Sequence, residues 1–167
     1  TLKKEEKKES ETEYVIRAEN VDYTYEGSKI KALDHLSLNI RKGKKVAVMG
    51  GNGCGKSTFF LCLNGIRRPE SGRIFIDGKP IEYTKKGLLD VRRKVGIVFQ
   101  NPDEQLFSAS VYEEISFGIL NMGADEETAE KAVRQIIEEL GLSAFQEEPT
   151  HALSGGQKKQ VAIADIL

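Results

Sequence analysis

One glycine-rich stretch, residues 50–58, constrains the fold of this chain more than any other feature. It matches the pattern G-x-x-x-x-G-K-[ST] at every specified position and consists of Gly50, Gly51, Asn52, Gly53, Cys54, Gly55, Lys56, Ser57 and Thr58. A short apolar run, 45–49, precedes it and predicts a buried strand, and the run 59–63 after it predicts a helix. Strand, glycine-rich loop and helix in this order are the context in which the pattern binds phosphate groups.

The residue types of this loop indicate how it would hold a phosphate. Glycines lack Cβ atoms, so successive backbone N–H groups can turn inward, and the helix N-terminus adds the positive end of its dipole. We expect Lys56 to reach the β- and γ-phosphates of a nucleotide and the Ser57 hydroxyl to ligate a Mg²⁺ that bridges them. The alternative is a glycine-rich loop that fits the pattern by chance, and the flanking strand and helix disfavour it.

Composition narrows the classes of partner. The 167 residues, 39% hydrophobic and 31% charged, suffice for one domain with a core of helices and strands. A formal net charge of -1 gives no electrostatic reason to expect nucleic acid as a partner.

Cys54 and Cys62 are the only cysteines and have no predicted pairing role, which indicates a reducing compartment. Neither a secretory signal nor an apolar stretch near the ~18 residues of a membrane span is visible, so we expect any membrane contact to run through a partner.

The first part of the chain predicts antiparallel strands ahead of the glycine-rich loop. Residues 1–13 are almost entirely Lys, Glu, Ser and Thr, and they predict a disordered, charged tail. Apolar and polar side chains then alternate over 14–19, 21–25 and 36–41, as is typical of half-buried strands. We therefore expect an antiparallel β subdomain that leads into an α/β unit.

The middle of the chain predicts a hairpin and a second buried strand. The run 72–78 ends in Asp-Gly, a strong hairpin signal, and the short run 79–83 is its candidate partner. That partner contains a proline, which a strand at the edge of a sheet tolerates. A short helix over 88–93 and a buried strand over 95–99 follow.

The chain becomes helical and acidic after this strand, and we expect a helical subdomain over about 101–153. Ser110 predicts the cap of one helix, and 125–140 predicts a longer helix with one apolar face before a glycine. Ser154 is placed to cap a final helix over 154–167. We read His35 and His151 as structural or surface residues.

A phosphate loop alone is compatible with GTPases, kinases, helicases and transport ATPases. The stretch that discriminates among these classes is Leu-Ser-Gly-Gly-Gln at 153–157. Ser154, Gly155, Gly156 and Gln157 open the last helix, and the free N–H groups of such a helix start can bind an anion, such as a terminal phosphate. The alternative is an ordinary helix start, because serine and glycine are favoured at caps in any case.

With these motifs, residues 14–167 resemble the ATP-binding-cassette (ABC) ATPases, whose signature is Leu-Ser-Gly-Gly-Gln. The resemblance implies an α/β fold of the P-loop NTPase type, with an antiparallel β subdomain, a RecA-like core and a helical subdomain. It identifies residues 50–58 as the Walker A loop, Tyr25 as the aromatic residue that stacks on adenine, and Gln100 as the glutamine that contacts the metal and the attacking water. Lys56 and Gln100 are then the catalytic candidates, and Ser57 and Gln100 the metal ligands.

Two further stretches are similar to one subgroup of the family, the ATPase subunits of energy-coupling factor (cobalt-type) importers. They are FQNPDEQLF at 99–107 and SGGQKK at 154–159. The chain departs from the pattern at Gln160, where the family usually has arginine, and at Asp165, where the subgroup usually has glycine. The sequence also ends inside the signature helix, ahead of the family's Walker B strand, D-loop and switch histidine, so we expect residues 1–167 alone to be inactive and the domain to be C-terminally incomplete.

The resemblance implies a transport ATPase that uses ATP and Mg²⁺. Two cassettes, in a homodimer or heterodimer, would hold each ATP between the Walker A loop of one and the signature of the other. Gln100 and the helical subdomain would receive a transmembrane coupling subunit, a separate membrane subunit would bind the substrate, and the protein would lie peripherally at the cytoplasmic face of the membrane. The substrate would be a metal ion or a vitamin. The alternatives are a non-transport ABC ATPase and a nucleotide-binding fragment without catalysis.

Overall fold

The computed structural model describes residues 13–167, and the rest of the predicted charged tail, 1–12, lies outside the described residues. The chain divides into two compact units, Thr1–Val95 and Gly96–Leu167. Each unit has its own cluster of buried apolar side chains. Among residues 13–167 no helix has the length and apolar character needed to cross a bilayer.

The first unit contains a four-stranded antiparallel sheet in the order β2-β1-β3-β4. Its strands are β1 (Tyr14–Thr24), β2 (Lys31–Arg41), β3 (Ser71–Ile76) and β4 (Lys79–Pro80). The two strand-like runs predicted over 14–25 form the single strand β1, which lies between β2 and β3. An irregularity in the pairing separates the two runs, at Asn20 with its φ of +48°. β1 is therefore the strand that organises the sheet.

The predicted hairpin is present. β3 and β4 are joined through Asp77 and Gly78, whose φ angles of +48° and +75° suit the tight turn between two twisted strands. Pro80 lies in β4, the outermost strand, where a missing backbone N–H leaves no neighbour unpaired.

Two helices complete the first unit: α1 (Lys56–Leu63) and α2 (Lys85–Arg92). α1 ends where the sequence predicts, because Gly65 adopts a φ of +74° just after the C-cap residue. The buried face of α1 includes Phe59 and Cys62, which join Val21 and Leu33 in the core of this unit. The sheet and α1 are thus packed together directly behind the glycine-rich loop.

The second unit is helical. Its helices are α3 (Val111–Asn121), α4 (Glu126–Glu139) and α5 (Gly155–Ala164), and single 3₁₀ turns lie at Pro102–Glu104, Ser143–Phe145 and Thr150–Ala152. Ser110 caps α3, as predicted, and Asp125 caps α4. The apolar face predicted for α4 is buried against α3, α5 and the connecting segments.

The structure corrects two predicted strands, 45–49 and 95–99. Neither run is a strand, and neither is paired with another strand among residues 13–167. Their side chains are not buried as predicted: Val46 is 55% exposed, Met49 88% and Val98 40%. β-branched residues favour an extended backbone, but a strand also needs a neighbour for its N–H and C=O groups. The prediction used local pattern alone and missed this second requirement.

Candidate nucleotide-binding site

The glycine-rich loop enters α1 through a backbone conformation that requires glycine. Gly55 has a φ of +92°, and a Cβ atom there would lie 2.2 Å from the carbonyl oxygen of Ala32 in β2. Gly53 is also left-handed, with a φ of +79°. The loop is therefore pressed closely against β2 at one end, and it remains exposed over 50–54, where a ligand would approach.

Lys56, the first residue of α1, has its side chain folded over this loop. Its Nζ atom donates to the carbonyl oxygens of Gly50 and Gly51 at 2.8 and 2.7 Å. It also lies 3.6 Å from the sulfur of Cys54. The ammonium is thus held at the mouth of the loop, next to the start of a helix. An anion bound by the loop N–H groups would meet a positive charge there.

Ser57 and Thr58, which follow Lys56, have different surroundings. Thr58 is buried, and its Oγ1 atom lies 3.0 Å from the hydroxyl oxygen of Tyr25, in hydrogen-bond contact. Ser57 is exposed at the first turn of α1. A hydroxyl oxygen is a hard ligand of the kind that Mg²⁺ accepts, so Ser57 fits the predicted metal-ligating role. The Ser57 hydroxyl therefore faces solvent, whereas the Thr58 hydroxyl contacts and positions Tyr25.

Tyr25 directly follows β1, and its ring is held from several sides. The ring of Tyr23 meets it edge to face, with the centroids 5.1 Å apart. The guanidinium carbon of Arg67 lies 5.6 Å from the ring centroid, a cation–π distance. The Tyr25 side chain is still 39% exposed, so ring surface remains for a stacking partner. The structure thus places Tyr25 next to Thr58, the last residue of the stretch 50–58.

The two cysteines are free, as the sequence indicates, and they lie in contrasting environments. Cys54 is exposed in the loop, whereas Cys62 is buried on the inner face of α1. Burial raises the pKa of the Cys62 thiol to about 11, which keeps it protonated and unreactive at neutral pH.

A cluster of Asp22, Asp34 and His35 brings three possible metal ligands within 4.8 Å of one another, but its contacts are those of a structural network. The Asp22 carboxylate accepts hydrogen bonds from the backbone N–H of His35, the Ser71 hydroxyl and the Lys31 ammonium. These bonds, the His35 N–H first, hold the pKa of Asp22 well below its usual range. Because Lys31 already supplies the positive charge, the cluster does not need a cation.

The second unit holds the remaining predicted residues, beginning with the signature at α5. Ser154 caps this helix reciprocally: the Gln157 backbone N–H donates to the Ser154 hydroxyl, and the Ser154 N–H donates to the Gln157 side-chain oxygen at 2.8 Å. Gly155 and Gly156 are exposed, and a Cβ at either position would meet no atom within 4 Å. The first turn of α5 is therefore open beside Gly155 and Gly156, while the N–H groups of Ser154 and Gln157 are capped by side chains.

Gln100 is exposed in a loop that is fastened to the signature helix. The Gln105 side chain accepts from the Phe99 N–H at 3.3 Å and donates to the Ala162 carbonyl and the Asp165 carboxylate at 3.0 and 3.2 Å. The Lys158 ammonium, on the first turns of α5, lies 2.5 Å from an Asp103 carboxylate oxygen. The segment around Gln100 and the helix that begins at Ser154 are thus joined at two points.

The unusual Asp165 is accommodated by two small features of its surroundings. Gly118 on α3 lacks the Cβ that would lie 3.0 Å from Asp165 oxygen atoms, and Gln105 donates a hydrogen bond to the carboxylate. Burial raises the pKa of Asp165. Gln160, the other departure, is exposed on α5.

Sequence reasoning missed Arg67 and Gln105, which contact predicted site residues or their neighbours. Arg67 lies outside any recognised motif, and Gln105 lies within the stretch 99–107, where the sequence motifs assign it no individual role; both have contacts with residues distant in sequence. A run of two arginines after α1 is the only local signal for Arg67, and it carries no information about which ring the guanidinium meets.

Comparison with known proteins shows the family of this chain. The profile of the family described as ABC transporter matches residues 33–167. An energy-coupling factor transporter ATP-binding protein of Clostridium perfringens is 47% identical over 155 residues, covering 93% of this chain and 54% of the relative. The chain spans about half the length of the curated relatives it matches.

Solved structures agree as well. The structure of cbiO1 from Clostridium perfringens, described as part of the ABC transporter complex cbiONQ, has a TM-score of 0.80 at 47% identity and covers 93% of this chain and 61% of that chain. A dimeric ATP-binding cassette bound to ADP and Pi has a TM-score of 0.79 at 28% identity, over 91% of this chain and 68% of that chain. The predicted α/β fold class and the family resemblance are confirmed. The chain belongs to the ABC transporter family, and its relatives include the ATP-binding subunits of energy-coupling factor transporters.

Proposed function

We propose that this chain is the nucleotide-binding part of an energy-coupling factor ATPase subunit, which couples ATP hydrolysis to import of a metal ion or a vitamin. The observation that carries the proposal is the arrangement of Lys56 and Tyr25 around one loop. Lys56 places a charge over the loop carbonyls, and Tyr25 is tied through its hydroxyl to Thr58 in the helix that the loop opens. The proposed phosphate and base contacts thus lie close together, where the loop enters α1.

Each residue has a role that its surroundings support. The N–H groups of residues 50–58 and the start of α1 bind the phosphates, Lys56 addresses the β- and γ-phosphates, and Tyr25 stacks on the adenine. Ser57 supplies a ligand to Mg²⁺, which would neutralise charge on the bridged phosphates. The reaction is phosphoryl transfer to water, in which the protein contributes positioning and charge stabilisation.

The signature residues Ser154 to Gln157 are proposed to bind the ATP held by a second ATPase subunit. The exposed glycines in the first turn of α5 support this role, because no atom occupies the space beside them and an anion from another molecule can approach the helix start. The relative solved as a dimer with ADP and Pi is an assembly of the kind that the proposal requires.

The second unit carries a surface suited to a membrane partner. The rings of Phe107 and Phe117 meet edge to face, 5.1 Å apart, and are 69% and 48% exposed. They lie on the segment that follows Gln100 and on α3. We propose that this surface receives the coupling subunit, which would place the protein peripherally at the cytoplasmic face of the membrane, with substrate selectivity in a separate membrane subunit.

The experiment is to isolate the intact protein from its membranes and identify the subunits that accompany it. Phe117→Asp should reduce the recovered membrane subunits several-fold and leave ATP binding unchanged. Ile30→Asp is the matched control, because Ile30 is 80% exposed and belongs to the first unit. Equal recovery of membrane subunits with Phe117→Asp and with Ile30→Asp would exclude this surface as the docking site.

A further inference from the structure

We propose that Arg67 is a positioning residue for the nucleotide base, which acts by holding the ring of Tyr25 in the orientation that stacks on adenine. This inference rests on the proposed ATP-binding function of residues 50–58 and Tyr25. It assigns a role to a residue outside the motifs, on the segment that follows α1.

The contacts of the Tyr25 ring show what Arg67 adds. The hydroxyl is tied to Thr58 and the ring packs edge to face with Tyr23, but neither contact places a charge over the ring. The Arg67 guanidinium does so, at 5.6 Å from the centroid. Among residues 13–167 no carboxylate forms a salt bridge with this guanidinium, and the groups with which it interacts electrostatically are the Tyr25 ring and the buried Cys62 thiol.

The backbone around Arg67 is hydrogen-bonded on both sides, which holds the Cα atom from which the side chain extends. The Arg67 N–H donates to the Leu61 carbonyl in α1 at 3.0 Å. Three residues later, the Glu70 N–H donates to the Asp22 carbonyl at 2.9 Å, and the Glu70 carboxylate accepts from the N–H and the hydroxyl of Thr24 at 3.2 and 3.1 Å. This segment therefore connects the end of α1 with the end of β1, and Tyr25 is the next residue of the chain.

This arrangement predicts a specific pattern of affinity. A contact made through the ring affects the base alone, so its loss should weaken AMP, ADP and ATP by the same factor. A cation over an exposed aromatic ring is worth about two- to fivefold in a binding constant. If the guanidinium touched the phosphates directly, its removal would instead weaken binding more for ADP than for AMP, and more for ATP than for ADP.

The test is a titration of the intact protein with AMP, ADP and ATP, comparing Arg67→Ala with Arg68→Ala. Arg68 is the matched control, because it is the neighbouring arginine and its guanidinium carbon lies 5.2 Å from a different ring, that of Tyr83. We expect Arg67→Ala to weaken all three nucleotides about two- to fivefold and Arg68→Ala to leave them unchanged. Arg67→Lys should lie between Arg67→Ala and the parent. In a Tyr25→Ala background, Arg67→Ala should have no further effect.

Several outcomes would overturn the inference. They are a loss that grows from AMP to ATP, tighter binding by Arg67→Ala, the same loss with Arg68→Ala, or an undiminished loss in the Tyr25→Ala background. Lys56→Ala, titrated in parallel, tests the proposed function separately. If Lys56→Ala weakens ATP as expected while Arg67→Ala has no effect, the nucleotide site stands and only the role of Arg67 is wrong.

Discussion

The Lys56 side chain has hydrogen-bond partners in the loop when no ligand is bound, and it is placed to contact a bound nucleotide. Two carbonyl oxygens of its own loop hold the ammonium at the place where the outer phosphates would bind. These hydrogen bonds keep the charge in position, and a bound phosphate would offer a stronger, charged partner.

Lys56→Ala should therefore weaken ATP binding far more than AMP binding, because Lys56 addresses only the outer phosphates. A hydrogen bond to a charged group is worth about 1.5–3 kcal/mol, so we expect a loss for ATP of roughly tenfold or more. Calorimetric titration of the intact protein measures both nucleotides, with Lys79→Ala as a control on an exposed lysine of β4. Equal losses for ATP and AMP would remove Lys56 from its assigned role.

A second residue-scale prediction concerns pH and Asp22. Hydrogen bonds from the His35 N–H, Ser71 and Lys31 lower the pKa of Asp22 in the folded protein, so the unfolded state binds the proton more tightly. Stability from this carboxylate is complete above about pH 4, the ordinary range of an aspartate, and is lost as the pH falls further. Asp22→Asn should thus destabilise the protein at pH 7, and the gap should narrow below about pH 4. Denaturant unfolding across this range checks the prediction, with Asp90→Asn on α2 as control. A gap that stays constant with pH would contradict it.

At the scale of elements, the entry into α1 depends on glycine at one position. Gly55→Ala would combine a left-handed backbone with a Cβ 2.2 Å from the Ala32 carbonyl oxygen. We expect a destabilisation of at least about 2 kcal/mol. Gly51→Ala is the control in the same loop, because a Cβ there meets no atom within 4 Å, and we expect a change within about 0.5 kcal/mol. Thermal unfolding distinguishes the two variants. Equal melting temperatures would show that the close approach of Gly55 to β2 does not require glycine at this position.

The start of α5 supports a different prediction, about a second molecule. Ser154→Arg should leave ATP binding by the isolated subunit nearly intact and abolish ATP-dependent dimerisation, because the signature is proposed to act on the partner's nucleotide. Ser110→Arg removes the corresponding cap of α3 and controls for the loss of a helix cap, worth about 1 kcal/mol. Light scattering with and without ATP measures the dimer. Loss of ATP binding in the Ser154→Arg monomer would mean that the signature acts within its own chain.

The elements that the sequence predicted correctly are those with local causes. Ser110 and Ser154 cap helices through their own hydroxyls, and Asp77-Gly78 adopts the positive φ angles that its turn needs. The runs 45–49 and 95–99 have equally clear local patterns, yet they are not strands, because pairing depends on a second segment. Arg67 was missed for a related reason, since its contact with Tyr25 joins positions far apart in the chain.

At the scale of the whole molecule, the residues proposed to bind nucleotide are distributed over the two units. The first contains the loop, Tyr25 and Arg67, and the second contains Gln100 and the signature. Apolar side chains are exposed along 45–49 in the first unit: Val46 is 55% exposed, Val48 38% and Met49 88%. That residues 1–167 alone do not hydrolyse ATP stays a prediction, and so do the substrate and the partner subunits.

The most direct measurement is phosphate release from Mg-ATP by the intact protein, purified together with the subunits that accompany it. We expect steady turnover by the parent and by Lys79→Ala, and loss of turnover with Lys56→Ala, because the outer phosphates would lose their charged contact. Turnover that persists unchanged in Lys56→Ala would contradict the assignment of residues 50–58 as the ATP site.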